Sequence, residues 1–528
     1  MATLNKRSVG VRCSCTPLPS FAVMVVETGI ILVDRLLEQR LKLHYLKRRG
    51  VTTSAREESG TRVPVCKKRG IEYLSTHGKI FILINHQRSK GRSQVITMAK
   101  PQLKRWYSSR DSSCSTKASI VLIGAGWWSQ GWHLPHLHRN EEVTISAIVD
   151  SSPHPTSNLD PNLESLATLA TRYDCPIFHS LAELLESPIG KSMDGALVCT
   201  PHATHYAIGV ELIQEAKRRY EEDEKNYKPL SVLMEKPMTT DVDEAIQLHT
   251  LLIERKVADK HNKDENDQRI GGGIGCFLVN HSANFRPQAR AAHELIETGK
   301  LGDIRHVTAF FASPLSWIFD DPSNTGWNEK RGSMLGNGFA WGQQSHILSW
   351  IYHVAGVENL VPSKVFCHMT KSDKTGADVS HAATVICSNG ATFSLSGTSL
   401  LPGNAHSDPP VAKRIEIKIF GTKGAVIYRG DDRDPSSGKL EWLRGDDEEE
   451  MGAVEVQCPD LGFEFEDLDQ DGNGPASLQC FIDSCLGLDY YVGADCLTGL
   501  RSVQTIEAMY RSHVSGNCES VIDSTEES

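Results

Sequence analysis

No stretch of this 528-residue chain is apolar for long enough to cross a membrane. The best candidate, Phe21 to Val33, contains Glu27 and falls short of the roughly 20 residues a spanning helix needs. No Cys-x-x-Cys occurs among the 14 cysteines, and the nearest approach is Cys13-Ser-Cys15. Zinc-ligand spacing and the density of a disulfide scaffold are both missing, so the thiols are read as reduced and mostly buried. The run Asp467-Leu-Asp469-Gln-Asp471-Gly472 imitates the first half of a calcium loop, but its twelfth position is Leu478, which cannot supply the bidentate carboxylate. No metal is expected. Acids are scarce at the start: residues 1–118 hold 23 Lys and Arg against 7 Asp and Glu, which leaves 33 and 59 of the chain's 56 and 66 for the remainder. The net charge of −10 therefore conceals a basic leader on an acidic body, and an acidic body argues against nucleic acid as the main partner.

The leader also lacks a sustained helical or strand period. Its Arg, Lys and Ser content suits an organelle transit peptide, a disordered tail, or an extension upstream of a start at Met98. The expected location is the cytoplasm, with organelle import if the leader is a transit peptide.

What is present begins at Ser119. A β-branched run (Ser119 to Ile123) stops at Gly124-Ala125-Gly126, and a second apolar run, Val143 to Val149, ends on Asp150. Strand, glycine turn, helix start and a second strand tipped by an acid make up the parts of a dinucleotide site in their required order. Gly124 makes the tight turn, and Gly126 leaves the backbone open to a pyrophosphate. The helix opening at Trp127 and Trp128 presents its N-terminal amides to the phosphates. Asp150 can accept hydrogen bonds from an adenosine ribose and repels a 2′-phosphate, which favours NAD over NADP. Ser129 stands where the fingerprint has a third glycine and is small enough for close packing.

Strands and helices alternate from there. Helices are expected at about 129–139, 161–173 and 181–186 and from His205, with strands at 143–149, 176–178, 195–199 and 231–234. This is a parallel sheet with helices on both faces, assigned to 119–270. The polar runs 217–228 and 256–269 read as solvated loops or helix ends, and Asp446–Glu450 as a solvated acidic loop. Residues 271–523 look different. Short strands follow one another at 305–311, 364–369, 382–387, 391–396, 414–420 and 425–428, as in an antiparallel sheet. A helix is expected over 334–356, with Ile347, Trp350, Ile351 and Val354 on its inner face, and further helices at about 476–486 and 494–512. Trp317 and Trp327 fall in a loop, where they either pack or stack on a sugar ring.

Several motifs in this order resemble the glucose–fructose oxidoreductase/inositol dehydrogenase/rhizopine-catabolism (Gfo/Idh/MocA) family. They are GAGWWS (124–129), CTPHATH (199–205), EKP (235–237), NFRP (284–287), GNGFAWGQQSH (336–346), GTKG (421–424) and AMYRSHVSG (508–516). The resemblance implies an α/β protein with a Rossmann domain joined to an α/β domain carrying an open, mainly antiparallel sheet. It also implies a homo-oligomer assembled through that sheet and NAD(P)-dependent hydride transfer on a sugar-like small molecule. Thr200, Pro201 and His205 match the cofactor-side loop, and Glu235 matches the residue at the nicotinamide ribose. Lys236, delivered to the carboxyl edge of the sheet, matches the catalytic lysine, and Arg286 matches a position at the rim that binds substrate. His346 matches the catalytic histidine. Gly342 departs from the pattern, since the family places an aspartate four residues before that histidine. The departure keeps open a second reading, a catalytically silent NAD(P)-binding sensor of the same fold.

Overall fold

The computed structural model describes residues 117–258, 270–403, 411, 413–430, 439–444 and 474–523, together with the backbone of short strands within 54–84 and at 453–456. The calcium-loop imitation, the acidic run 446–450 and most of the polar run 256–269 lie outside the described residues. Contacts divide the chain into two units, Met1–Ser93 and Gln94–Ser528. Within the first, Ser54–Glu58 pairs antiparallel with Thr61–Val65, and Ile71–Thr76 with Lys79–Ile84. The leader was expected to lack strands.

In the second unit, buried apolar runs become strands and amphipathic segments become helices. The order is β1 (Ala118–Ile123), a π-helical turn (Ser129–His133) running into α1 (Leu134–Arg139), β2 (Val143–Val149), α2 (Leu166–Tyr173) and β3 (Ile177–Phe178). Then come α3 (Leu181–Glu186), α4 (Pro188–Ser192), β4 (Gly195–Val198), α5 (His205–Glu222), β5 (Leu230–Met234), α6 (Val242–Ala258) and β6 (Ile274–Val279). All six strands are parallel, in the order β6-β5-β4-β1-β2-β3, the doubly wound arrangement. β4, β5 and β6 are buried at every residue, as strands covered on both faces must be.

Three readings of this region need correction. The boundary expected at 270 falls one strand early, because β6 pairs with β5. Gly271, Gly272 and Gly273 resemble a linker, but each has a positive φ and together they make a tight turn. α2 starts at Leu166 and not near 161, because the Ser165 side chain caps it by accepting the Thr168 N–H. α6 was not anticipated, although Val242, Ala245, Leu248 and Leu252, all buried, recur at helical spacing.

The chain continues through α7 (Pro287–Glu297), β7 (Ile304–Ala312), α8 (Ser316–Phe319), α9 (Thr325–Asn328), a second π-helical turn (Ala340–Gln344) and α10 (Ser345–Ala355). It follows with β8 (Pro362–Lys371), β9 (Asp378–Cys387), β10 (Thr392–Thr398), β11 (Arg414–Gly421), β12 (Gly424–Gly430), β13 (Lys439–Arg444), β14 (Ala453–Val456), α11 (Ala476–Cys485), α12 (Cys496–Ser515) and β15 (Glu519–Ser520). Nine of these strands form one sheet, β14-β13-β12-β11-β7-β10-β9-β8-β15, antiparallel except where β7 meets β10. The protein is therefore α/β, a doubly wound parallel sheet joined to a mainly antiparallel one, as expected. β13, β14 and β15 were not foreseen. The helix expected over 334–356 begins only near Ala340, where the buried Asp378 carboxylate accepts the Ala340 N–H at 2.8 Å and the Tyr510 hydroxyl. Ile347, Trp350, Ile351 and Val354 are buried on its inner face.

The two C-terminal helices join the sheets. α11 packs on β5 and β6 of the parallel sheet, while α12 contacts β8 of the second sheet and α6 of the first. Asp495 caps α12, its Oδ1 accepting the Thr498 N–H at 2.8 Å and hydroxyl at 2.7 Å. We predict that Asp495→Ala lowers the unfolding free energy by about 1 kcal/mol, read as a lower urea midpoint. An unchanged midpoint would show that the cap does not hold this helix.

Candidate active site

A cavity of about 550 Å³ lies at the carboxyl edge of the parallel sheet, faced by the second sheet and by the segment 311–350. That is the size and place of a ligand site in open α/β proteins. Of the residues anticipated from sequence, Gly126, Trp127, Trp128, Thr200, Pro201, Glu235, Lys236, Arg286 and His346 line it. Gly124, Asp150 and His205 do not, and each has a structural task nearby.

Gly124 has φ +96° and donates its N–H to the Val149 carbonyl at 2.7 Å; a Cβ there would stand 2.3 Å from the Cys199 oxygen. Only glycine allows β1 and the loop after β4 to approach so closely. A Cβ at Gly126 would meet nothing within 4 Å, so the backbone is open at that point. Ser129 does more than fit, since its hydroxyl donates to the Gly124 carbonyl and braces the turn. The Asp150 carboxylate accepts the Ala125 N–H at 2.8 Å and the Ser152 N–H at 2.9 Å, tying the tip of β2 to the glycine turn. On the π-helical turn Trp128 and Trp132 stack with ring centres 4.2 Å apart, and Trp127 meets both edge-on. His205 is buried with its ring nitrogens 2.8 Å from the Pro237 carbonyl and 3.0 Å from that of Thr200. It holds two loops together and does not reach the cavity.

β5 ends at Met234, so Glu235 and Lys236 emerge at its carboxyl edge, and the Lys236–Pro237 peptide is cis. Glu235 is buried. Its Oε1 lies 2.9 Å from His133 Nε2 and accepts the Asn280 amide at 2.7 Å. Burial alone would raise the carboxyl, but His133, Lys236 and Asn280 outweigh it and hold it at about 2, ionised at neutral pH. Lys236 Nζ donates to the Gly342 carbonyl at 3.0 Å and lies 5.3 Å from the centre of the Trp327 ring. Burial pulls this ammonium down to about 8 against the opposing attraction of Glu235, and Lys413 pushes it the same way as burial. His346 packs edge-on against the buried His281 ring at 5.4 Å.

The missing aspartate has a steric cause. A Cβ at Gly342 would stand 2.9 Å from Phe319 Cζ and 3.4 Å from Trp327 Cζ3, inside the cluster of Phe319, Trp327 and Phe339. The backbone carbonyl of Gly342 takes the lysine instead. Trp327 is not in a loop but in α9, where its ring stacks on His202 at 4.8 Å. Trp317 is likewise helical, in α8, and packs against the core. His133, Asn280, His202, Arg331 and Lys413 also reach the cavity without having been singled out. A signal existed for Lys413, which lies one residue before β11 and shares the parity of its inward-facing Ile415, Ile417 and Ile419. The others come from loops and turns with no such pattern. Among the described residues, no group of three His, Cys, Asp or Glu side chains could hold a metal ion, and no helix is long and apolar enough to cross a membrane.

Two family models match the chain: the oxidoreductase family with an NAD-binding Rossmann fold over residues 118–259, and the GFO/IDH/MocA C-terminal domain over 289–427. Together they cover more than half of it. The chain belongs to the Gfo/Idh/MocA family of oxidoreductases. Solved structures share this fold. GenD2 from gentamicin A biosynthesis, in complex with NAD, is 18% identical with a TM-score of 0.54 over 79% of this chain and 99% of that one. The WlbA dehydrogenase from Bordetella pertussis, in complex with NADH and UDP-GlcNAcA, is 19% identical with a TM-score of 0.54 over 78% and 99%. Levoglucosan dehydrogenase, in complex with NADH and levoglucosan, is 15% identical with a TM-score of 0.52 over 77% and 100%. No curated protein sequence matches the chain significantly.

The Gly342 substitution is directly testable in this family member. Gly342→Asp should overpack the site and lower stability by about 1–3 kcal/mol, seen as a lower melting temperature. Phe319→Ala costs stability by itself because the ring is buried, but the further loss from Gly342→Asp should be smaller in the Phe319→Ala background than in the wild type. An equal increment from Gly342→Asp in both backgrounds would show that Phe319 is not what excludes the aspartate.

Proposed function

We propose that this protein is an NAD(P)-dependent oxidoreductase acting on a CH–OH group of a sugar, polyol or related compound. The observation that carries the reading is Lys236, whose amine donates to the Gly342 carbonyl at the cavity that His346 and Glu235 also line and is brought down by burial to about 8. The residues fit a dinucleotide. The turn at Gly124–Gly126 and the helix start at Trp127 and Trp128 would take the pyrophosphate, since the first amides of a helix have no intrahelical acceptor. Asp150 keeps lone pairs for a ribose and would repel a 2′-phosphate, which favours NAD. Thr200 and Pro201 would border the cofactor. Glu235, oriented by His133 and Asn280, would hold the nicotinamide ribose, and the Asn280 Oδ1, buried without a protein donor, is open to a ligand N–H or O–H.

The nicotinamide, when bound, supplies or accepts the hydride. Lys236 handles the proton. As an amine it takes the proton of the substrate hydroxyl during oxidation, and as an ammonium it returns it during reduction. The Gly342 carbonyl holds the amine in place without supplying the negative charge that a carboxylate would. His346 and Arg286 would orient the substrate oxygens. No metal is required. The outer face of the second sheet exposes Phe310, Phe366 and Ile386, and we assign it to contact with a second copy of the chain.

Lys236→Met should leave NADH binding, followed by cofactor fluorescence, within a few-fold of wild type, while turnover falls about 10²- to 10⁴-fold. In the wild type, kcat/KM for oxidation should rise with pH through about 8, where Lys236 loses its proton, and kcat/KM for reduction should fall over the same range. Undiminished turnover in the variant would overturn the assignment. The Phe319 ring where a carboxylate would sit favours one other reading, a silent NAD(P)-binding sensor. Tight NADH binding with no turnover on any sugar or polyol would support it.

A further inference from the structure

Two groups from the second domain meet the Lys236 amine, the Gly342 carbonyl at 3.0 Å and the face of the Trp327 ring at 5.3 Å. The carbonyl fixes where the amine points, and an indole face attracts the charged form. The two are neighbours, since a Cβ at Gly342 would stand 3.4 Å from the indole Cζ3. His202, stacked on Trp327 at 4.8 Å, is held down to about 3 chiefly by burial. It is therefore a neutral ring near pH 7, and the cation that the indole receives is Lys236.

Trp327 sits in α9, within a segment running from residue 320 to 333. Asn324, Trp327 and Arg331 of that segment line the cavity. Its ties to its own domain are strong. The Asp320 carboxylate accepts from Ser372 at 2.5 Å and from Lys374. The buried Asn337 amide donates to the carbonyls of Gly326 and Glu329 at 3.2 and 2.9 Å, and its Oδ1 accepts the Gly338 N–H at 3.0 Å. Gly338 precedes the second π-helical turn by two residues. One side chain thus joins the helix that carries Trp327 to the turn that carries Gly342.

On its other side the segment meets three loops of the Rossmann domain. Asn158, after β2, donates to the Ser323 carbonyl. His202, after β4, stacks on Trp327. Asp241, after β5, accepts the Ser333 hydroxyl. Asn158, Ser323 and Ser333 are exposed, so the polar contacts across the cleft are the ones that loosen first.

We propose that Trp327 is a positioning residue for Lys236, carried on a strap that spans the cavity from residue 320 to 333. Seated on the three Rossmann loops, the strap sets the indole against the amine; lifted from them, it withdraws the indole and opens the cavity. The inference rests on the reading of Lys236 as the group that transfers the proton, and it adds the device that aligns that group.

The test reads the amine in two ways on the full chain. Trace labelling with acetic anhydride, scored on the Lys236 peptide by mass spectrometry, reports how exposed and how nucleophilic the amine is without any turnover. Steady-state rates with NAD⁺ and D-glucose, D-xylose or myo-inositol report catalysis. Trp327→Leu keeps an apolar cover but removes the ring. It should raise Lys236 labelling about threefold or more and lower kcat about 10- to 100-fold, with KM and NADH affinity nearly unchanged. Trp327→Phe, which restores a ring face, should recover most of both. Ser333→Ala lies outside the cavity lining and should raise labelling by loosening the strap. Equal labelling of wild type and Trp327→Leu, a loss confined to KM, or a phenylalanine no better than leucine would each overturn the positioning role. Unchanged labelling in Ser333→Ala would overturn the strap. Faster labelling in Trp327→Leu, reversed in Trp327→Phe, with no turnover even in the wild type, would uphold the positioning and bring down the dehydrogenase reading instead.

Discussion

The site depends on the two side chains that β5 delivers side by side at the edge of the parallel sheet. Glu235 is turned inward, where His133 from the π-helical turn and Asn280 from the end of β6 meet its carboxylate. Lys236 is turned outward to the Gly342 carbonyl at the start of the helix that carries His346. One dipeptide thus links the glycine turn, two neighbouring strands and the second domain. A buried carboxylate is costly unless it is paired and hydrogen-bonded, so the Glu235 network holds these elements in one arrangement.

The same dipeptide sets the chemistry available to the lysine. In many sites a lysine is kept charged by a neighbouring carboxylate. Here Glu235 does attract the ammonium, but the hydrogen-bond partner is a peptide carbonyl, which orients the amine and adds no full negative charge, and burial together with Lys413 outweighs Glu235 and brings the group down to about 8. The Phe319 and Trp327 rings, which exclude a side chain at position 342, are therefore part of the electrostatic design of the site as well as of its packing. The π-helical turn over 340–344 belongs to the same device, since such bulges re-aim the residues of a helix and recur at functional sites.

The charge distribution follows a similar logic on a larger scale. The chain is acidic beyond residue 118, yet the cavity at the edge of the parallel sheet is lined by Lys236, Arg286, Arg331 and Lys413 with Glu235 as the one acid among its described lining residues. Overall charge governs solubility and long-range encounter, whereas a cleft with low-dielectric walls concentrates the field of the few charges that line it.

Much of this protein is legible in the residues taken in order. The alternation of apolar runs with helical periods gives the doubly wound sheet, because each period reports which faces are buried. GAGWWS followed by the strand ending on Asp150 marks the glycine turn that Asp150 and Ser129 brace, because that turn is built from residues close together in the chain. Lys236 and His346 each stand in a short motif, and both line the one cavity described above. Other features were decided only by the tertiary structure. β6 joined the parallel sheet although three glycines precede it. His205 was drawn into bracing two loops. Phe319 filled the space beside Gly342, and Lys413, Arg331 and Arg286 came together around one cavity. These depend on contacts between segments tens to hundreds of residues apart, and no local period or motif records which side chains will meet once the sheets have closed on each other.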